Sequence, residues 1–134
     1  QIDVENYRLF VKQKHQELFE YIQSLGAKVK LHISGDITHL LDDKRDVKPD
    51  IVDIDWMVDM DHAMGRLGPD IIRCGNLDPV SVIQDHSPEE IRNQTEILCK
   101  KEEGRPFIFS GGCEITVNTP VEHLEAMRSA SLTI

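Results

Sequence analysis

The stretch HISGD, His32 to Asp36, sets a histidine and a serine two positions apart and follows them with a glycine. Residues i and i+2 of a strand project to the same side, so His32 and Ser34 would face one site together. With cysteine in place of Ser34, the pair would read as two metal ligands. Three more clusters follow: Asp53 and Asp55 in DIDW, Asn76 and Asp78 in GNLDP, and Cys113 in SGGCEI. An imidazole and a thiol, His32 and Cys113, are donors that zinc prefers, and a catalytic zinc needs about three protein ligands and one open position. Ser34 is a weak third donor, because its hydroxyl binds as a neutral oxygen unless it first loses a proton. The blander reading of the same residues is a hydrogen-bonded histidine and an inert buried thiol. Asp53 and Asp55 share a face around Ile54 and could act as an acid-base pair; alternatively, Asp55 caps a helix beginning near Met57. Asn76 and Asp78 also suit turn and capping roles. Lys30 lies on the His32 face and calls for a carboxylate to answer it.

These clusters sit at the ends of expected strands. Apolar positions from Tyr7 to Leu25 recur at helical spacing, and Gly26 supplies the stop. Lys28 to Ser34 reads as a strand with Val29, Leu31 and Ile33 on one side. A short helix from Thr38 to about Lys44, a strand over 51–54, a helix over 57–65 and a strand over 71–74 follow. Ser87-Pro88-Glu89-Glu90 is a helix start, with a serine cap, proline in the first turn and carboxylates at the positive end of the dipole. That helix is expected to run to about Lys101, before a strand over 107–110 and a last helix from Thr119-Pro120 through Met127. Strands alternating with helices imply parallel pairing and an α/β fold of about four βα units. Either half of an eight-stranded barrel or a small open sheet accommodates four units. In both, the loops leaving the carboxyl ends of the strands build the site.

Composition narrows the partners. The 134 residues suffice for one domain with a real core. With 24 acidic against 15 basic residues, the net charge of -9 disfavours nucleic acid and anionic membranes as partners. No apolar run reaches spanning length and no leader is visible, so the sequence reads as cytoplasmic. Three cysteines with no closely spaced pair fit reduced thiols, Cys74 and Cys99 as small core residues. His15, His39, His62, His86 and His123 read as solvated surface residues. The glycines of SGGC are too few for a phosphate-binding loop. The chain begins at Gln1 and reads as a piece of something longer.

HISGD, DIDWMVD, GNLDPV and SGGCEITVNTPVEHLEAM, in that order, resemble the C-terminal part of the uroporphyrinogen decarboxylase superfamily. They are most similar to its corrinoid-dependent methyltransferase branch, the methylcobalamin:coenzyme M type. GNLDP with DxDW carries the superfamily, and GGCEI the branch. The resemblance implies a TIM (β/α)8 barrel of which residues 1–134, a single α/β domain, supply the C-terminal half. The chain alone would then hold no complete active site and would leave two open strand edges. Its partners would be the missing N-terminal half-barrel or a second copy.

The branch binds zinc through an HxC pair and a later cysteine. Carried over, these positions fall on His32, on Ser34 as the departure, and on Cys113. The resemblance further implies Asp55 as a catalytic group, with Asn76, Asp36 and Glu114 binding substrate at the mouth. The implied reaction is methyl transfer from a methylated corrinoid, either methylcobalamin or a corrinoid protein, to a small thiol activated by zinc. A rival within the superfamily is metal-free porphyrinogen decarboxylation, although SGGC replaces that enzyme's histidine-bearing loop. A third reading is a non-catalytic module that binds a corrinoid protein or another subunit.

Overall fold

A computed structural model describes residues 2–132. The chain opens with a turn of helix, α1 (Val4–Asn6), capped by the Asp3 carboxylate, which accepts from the Asn6 amide at 2.8 Å. A π-helical stretch, Tyr7–Val11, leads into α2 (Lys12–Ser24), and Gly26 closes the helix at φ +80°. Strand β1 (Lys30–His32) follows, then a 3-10 turn at Thr38–Leu40 and α3 (Leu41–Asp46). Next come β2 (Ile51–Asp53), α4 (Met60–Leu67) and β3 (Ile72–Leu77). A π-helical stretch at Pro79–Gln84, α5 (Pro88–Lys101), β4 (Phe107–Gly111) and α6 (Val121–Ser131) complete the order.

All pairings are parallel and the strand order is β1-β2-β3-β4. A doubly wound sheet reverses its order at a switch point, whereas a barrel adds each strand beside the last, so this sheet is an arc of barrel. The outer strands β1 and β4 keep their edges open.

Alternation along the strands separates two faces. Leu31, Val52, Arg73 and Phe107 share one register row, and Leu31 and Val52 are buried there against the helices. The main core beneath this face joins Ile37, Leu41, Val52, Ile54, Val58 and Leu67; Phe19, Val29, Leu31 and Val47 form a second cluster under β1. On the opposite face His32, Asp53, Cys74 and Ile108 form the next row, and Ile108 stays 42% exposed. This face corresponds to the interior of a closed barrel.

Boundaries differ from expectation for physical reasons. Helix α4 begins three residues later than the pattern suggests, because the Asp59 side chain accepts from the His62 amide at 2.7 Å and fixes the start. It passes through Gly65 and stops at Gly68, which has φ +84° where Gly65 does not have a positive φ. Strand β3 extends to Leu77, which places Asn76 inside a strand rather than in a turn. The Ser87 cap and the end at Lys101 are as expected, with Ser87 Oγ accepting from the Glu90 amide.

Two histidines expected on the surface are packed instead. His15 lies within 3.0 Å of the Tyr7 hydroxyl and stacks on Phe19, and His123 Nδ1 reaches the Ile83 carbonyl at 2.8 Å. Both sit on helices whose polar sequence neighbours conceal an inward-facing position. Among the described residues, no helix is long and apolar enough to cross a membrane.

Candidate functional site

The carboxyl ends of β1, β2 and β4 meet around a cavity of about 410 Å³, lined by His32, Ser34, Asp53, Ser110, Cys113 and Glu114. His32 is the last residue of β1 and pairs in register with Asp53, the last of β2. Ser34 follows two positions on, beyond the end of β1, where the chain turns at Gly35 with φ +94°. His32 Nε2 lies 3.1 Å from Ser34 Oγ, and Ser34 Oγ lies 3.7 Å from Cys113 Sγ. Three side chains separated by up to 81 positions thus form one string, with the serine in the middle.

Two close backbone approaches bring Cys113 there. Gly112 lies against the Asp55–Trp56 peptide, and its amide donates to the Leu77 carbonyl at 2.8 Å. Gly75, at φ +144°, packs against the Ile54 carbonyl, where a Cβ would come within 2.5 Å of the oxygen. Glycine is required at both because no side chain fits.

Behind the histidine, Asp53 Oδ2 lies 3.4 Å from His32 Nδ1 and 3.0 Å from Lys30 Nζ. Burial alone would lower the Lys30 ammonium, but its hydrogen bonds to Asp53 and Cys74 outweigh that and raise its pKa. The Cys74 thiol, buried beside the pair, is pushed up mainly by burial. The carboxylate that Lys30 calls for in the sequence is therefore Asp53.

Of the other expected site residues Glu114 lines the cavity, and Asp55, Asn76 and Asp36 fall elsewhere. Asp55 is 2% exposed and does not line the cavity; its Oδ2 accepts from the Gly35 amide at 2.6 Å. Nor does it cap α4, a role taken by Asp59. The chain leaves β2 at Asp53, so the strand period that would put both aspartates on one face no longer holds. The Asn76 amide donates to the carbonyls of Val58, at 2.9 Å, and Asp55, at 3.3 Å, and borders a separate cavity with Trp56 and Lys101. Asp36 accepts from the Thr38 amide and hydroxyl, opening the 3-10 turn. Asp78 caps the Pro79–Gln84 stretch. Glu114 stands exposed at the rim. A larger cavity, about 750 Å³, lies at the opposite ends of the strands. Its Asp50 is held by Gln23, Lys28 and the Val29 amide, which lower its pKa to about 2.

Sequence comparison agrees with the arc of barrel. The family model described as uroporphyrinogen decarboxylase (URO-D) matches residues 1–132. The chain belongs to the uroporphyrinogen decarboxylase family. A protein named uroporphyrinogen decarboxylase from Koribacter versatilis is 29% identical over 125 residues, covering 92% of this chain and 35% of the relative. One of the same name from Chloroflexus aggregans is 30% identical, covering 89% and 34%, and one from Drosophila virilis is 34% identical, covering 69% and 24%. The chain therefore spans between about a quarter and a third of the length of these relatives. Among solved structures, a methyltransferase from Methanosarcina mazei superposes with a TM-score of 0.82 at 19% identity, over 96% of this chain and 37% of that one. That likeness shows the fold: residues of the uroporphyrinogen decarboxylase family arranged as four consecutive βα units of a TIM barrel.

Zinc asks for about four donors in a tetrahedron. Among the described residues, no three His, Cys, Asp or Glu side chains gather as a metal site. With Ser34 included, the separations of 3.1 and 3.7 Å are close to the roughly 3.3–3.8 Å between neighbouring donors on a tetrahedral ion with bonds of about 2.0–2.3 Å. An imidazole and a thiol fit zinc in type, with the hydroxyl as a weaker third donor, and the two separations that involve the hydroxyl suit it in spacing.

Proposed function

We propose that the chain is the acceptor-activating part of a methyltransferase of the uroporphyrinogen decarboxylase family, moving a methyl group from a corrinoid to a small thiol. The observation that carries this reading is the convergence of His32, Ser34 and Cys113 over one cavity. His32 Nε2 and Cys113 Sγ would hold zinc, with Ser34 Oγ as a weaker third donor. When bound, zinc supplies Lewis acidity that lowers the pKa of a coordinated thiol, so that the thiolate predominates near neutrality. The chain's own residues place that sulfur: His32 and Cys113 fix it at the mouth, and Glu114 stands at the rim where substrate would enter. That sulfur would accept the methyl group of the corrinoid, its lone pair forming the new S–CH3 bond while the electron pair of the broken methyl–corrinoid bond would stay with the corrinoid. The corrinoid, on its protein or as methylcobalamin, would approach from the open side of the arc, whose other wall belongs to the rest of the barrel.

Elemental analysis of the complete protein, with and without Cys113→Ala, tests the reading. Zinc retained by the wild type and lost from the variant supports it; equal metal in both, or none in either, overturns it.

The names of the relatives favour a second reading, porphyrinogen decarboxylation. It predicts carbon dioxide release from a porphyrinogen that survives treatment with a chelator, and no thiol methylation.

A further inference from the structure

We infer that Asp53 is the residue that aims His32 into the site, and that Lys30 holds Asp53 for that role. What the aimed nitrogen binds rests on the zinc reading above; the aiming itself rests on the contacts of the metal-free chain.

The imidazole of His32 has a different neighbour at each nitrogen. Nδ1 faces Asp53 Oδ2 at 3.4 Å, and Nε2 faces Ser34 Oγ at 3.1 Å. A neutral imidazole carries one N–H, and a carboxylate only accepts. The proton is therefore favoured on Nδ1, because the other tautomer would set a lone pair against the carboxylate. Nε2 is left as a lone pair directed toward Ser34 and Cys113, the orientation that a metal-binding histidine needs. The Ser34 hydroxyl, which both donates and accepts, completes the string by donating to Nε2.

The backbone makes this arrangement. Asp53 is the register partner of His32 across β1 and β2, so their side chains leave the sheet together. Lys30 precedes His32 by two residues and shares its face, with Nζ at 3.0 Å from the same Oδ2 that faces the histidine. Asp53 Oδ1 is buried with no hydrogen-bond partner, so among the described residues Oδ2 alone anchors the carboxylate. Asp53 is thus a positioning residue, acting on the site through His32, and this role accounts for a lysine on the barrel-facing side of the sheet.

The test uses the complete protein, labelled with 15N-histidine and stripped with a chelator, with the His32 signal assigned through His32→Gln. Two-bond proton–nitrogen correlations are expected to show His32 protonated at Nδ1. Asp53→Ala, which leaves Nδ1 without an acceptor, is expected to reverse the tautomer while leaving the thermal midpoint near that of the wild type. Titration with Co2+, read by its absorption bands, should then show affinity falling about 10–100-fold in Asp53→Ala. Lys30→Met should weaken binding by a smaller factor; wild-type affinity there would remove Lys30 from the proposal. Protonation at Nε2 in the wild type, or a tautomer unchanged in Asp53→Ala, overturns the aiming role. A tautomer that reverses as expected in a protein that takes up no Co2+ sustains the role of Asp53 and overturns the zinc reading instead.

Discussion

Gly112 passes so close to Trp56 that a Cβ on it would lie 2.4 Å from the Trp56 nitrogen and 3.0 Å from its Cα. The obstacle is backbone, which cannot rotate away as a side chain would. Gly112→Ala is therefore expected to destabilise the protein by about 1–3 kcal/mol, as overpacking does, and to displace Cys113 next to it. Gly65 offers the contrast, since it lies within α4 with nothing within 4 Å of its would-be Cβ. Gly65→Ala should stabilise by about 0.5–1 kcal/mol through the better helix propensity of alanine. Urea unfolding of both variants checks the pair, and a Gly112→Ala protein as stable as wild type would refute the close-packing argument.

Asp55 ties the HISGD loop to the end of β2 through its bond to the Gly35 amide. Gly35 sits at φ +94°, so the turn that carries Ser34 back over the cavity depends on this anchor. Asp55→Ala removes a buried carboxylate acceptor from a part-buried amide and should cost about 1–2 kcal/mol. Asp55→Asn keeps an oxygen that can accept from the same amide and should retain most of the stability and turnover. A group that exchanges protons in the reaction could not be replaced by an amide, so loss of turnover in a stable Asp55→Asn protein would show a catalytic role for Asp55 beyond this anchor.

The difference between Asp53 and Asp55 shows what the sequence could and could not disclose. Alternation in Val29–Leu31–Ile33, the serine cap of α5 and the glycine stop of α2 are local signals, and each element formed where its signal lay. All four clusters, HISGD, DIDW, GNLDP and SGGCEI, were expected at one mouth because parallel strands send their carboxyl ends the same way; His32, Asp53 and Cys113 meet there, whereas Asn76 of GNLDP borders a separate cavity. Strand order was not legible, since four βα units obey the same local rules in an open sheet and in a barrel. Nor was the assignment of the two aspartates, because the period of two applies only while the strand lasts, and β2 ends at Asp53. The answering of Lys30 by Asp53 depends on the offset of Lys30 against Ile51 in the ladder, which no single segment encodes.

Arg73 and Glu102 form an ion pair beneath the sheet, with Nη2 2.7 Å from Oε2 and both side chains almost without solvent exposure. The guanidinium also donates to the Met60 carbonyl at 3.1 Å, which links β3 to the start of α4 and the end of α5. Glu102→Leu alone leaves the buried cation without its partner and should destabilise by about 3–5 kcal/mol. Replacing both, as Arg73→Met with Glu102→Leu, should cost much less, because no charge is then left uncompensated. Chemical denaturation of the single and double variants measures the coupling, and additive losses would show that the two groups are not paired in solution.

Lys44 is fully buried, and its ammonium lies 3.7 Å above the centre of the Tyr7 ring with no hydrogen-bond partner among the described residues. Burial lowers its pKa from 10.5 to about 8, with Asp43 pulling weakly the other way. Asp43 is itself engaged by Arg8 and Lys12, so it gives Lys44 little relief. Between about pH 8 and 10.5 the unfolded chain holds a proton on this amine that the folded chain has released, so stability rises with pH across that window. The shift corresponds to about 3 kcal/mol, reduced by the roughly 0.5–2 kcal/mol that the aromatic face returns to the charged form, leaving a rise of about 1–3 kcal/mol. Tyr7 acts in the opposite sense at higher pH. Its hydroxyl is raised from 10 to about 12, chiefly by burial and then by Asp43, so its contribution is lost as pH climbs from 10 toward 12. The two effects place a local maximum of stability near pH 10. Lys44→Met should remove the rise between pH 8 and 10 while keeping the later fall, and parallel stability curves for variant and wild type would show that the buried amine does not titrate in this range.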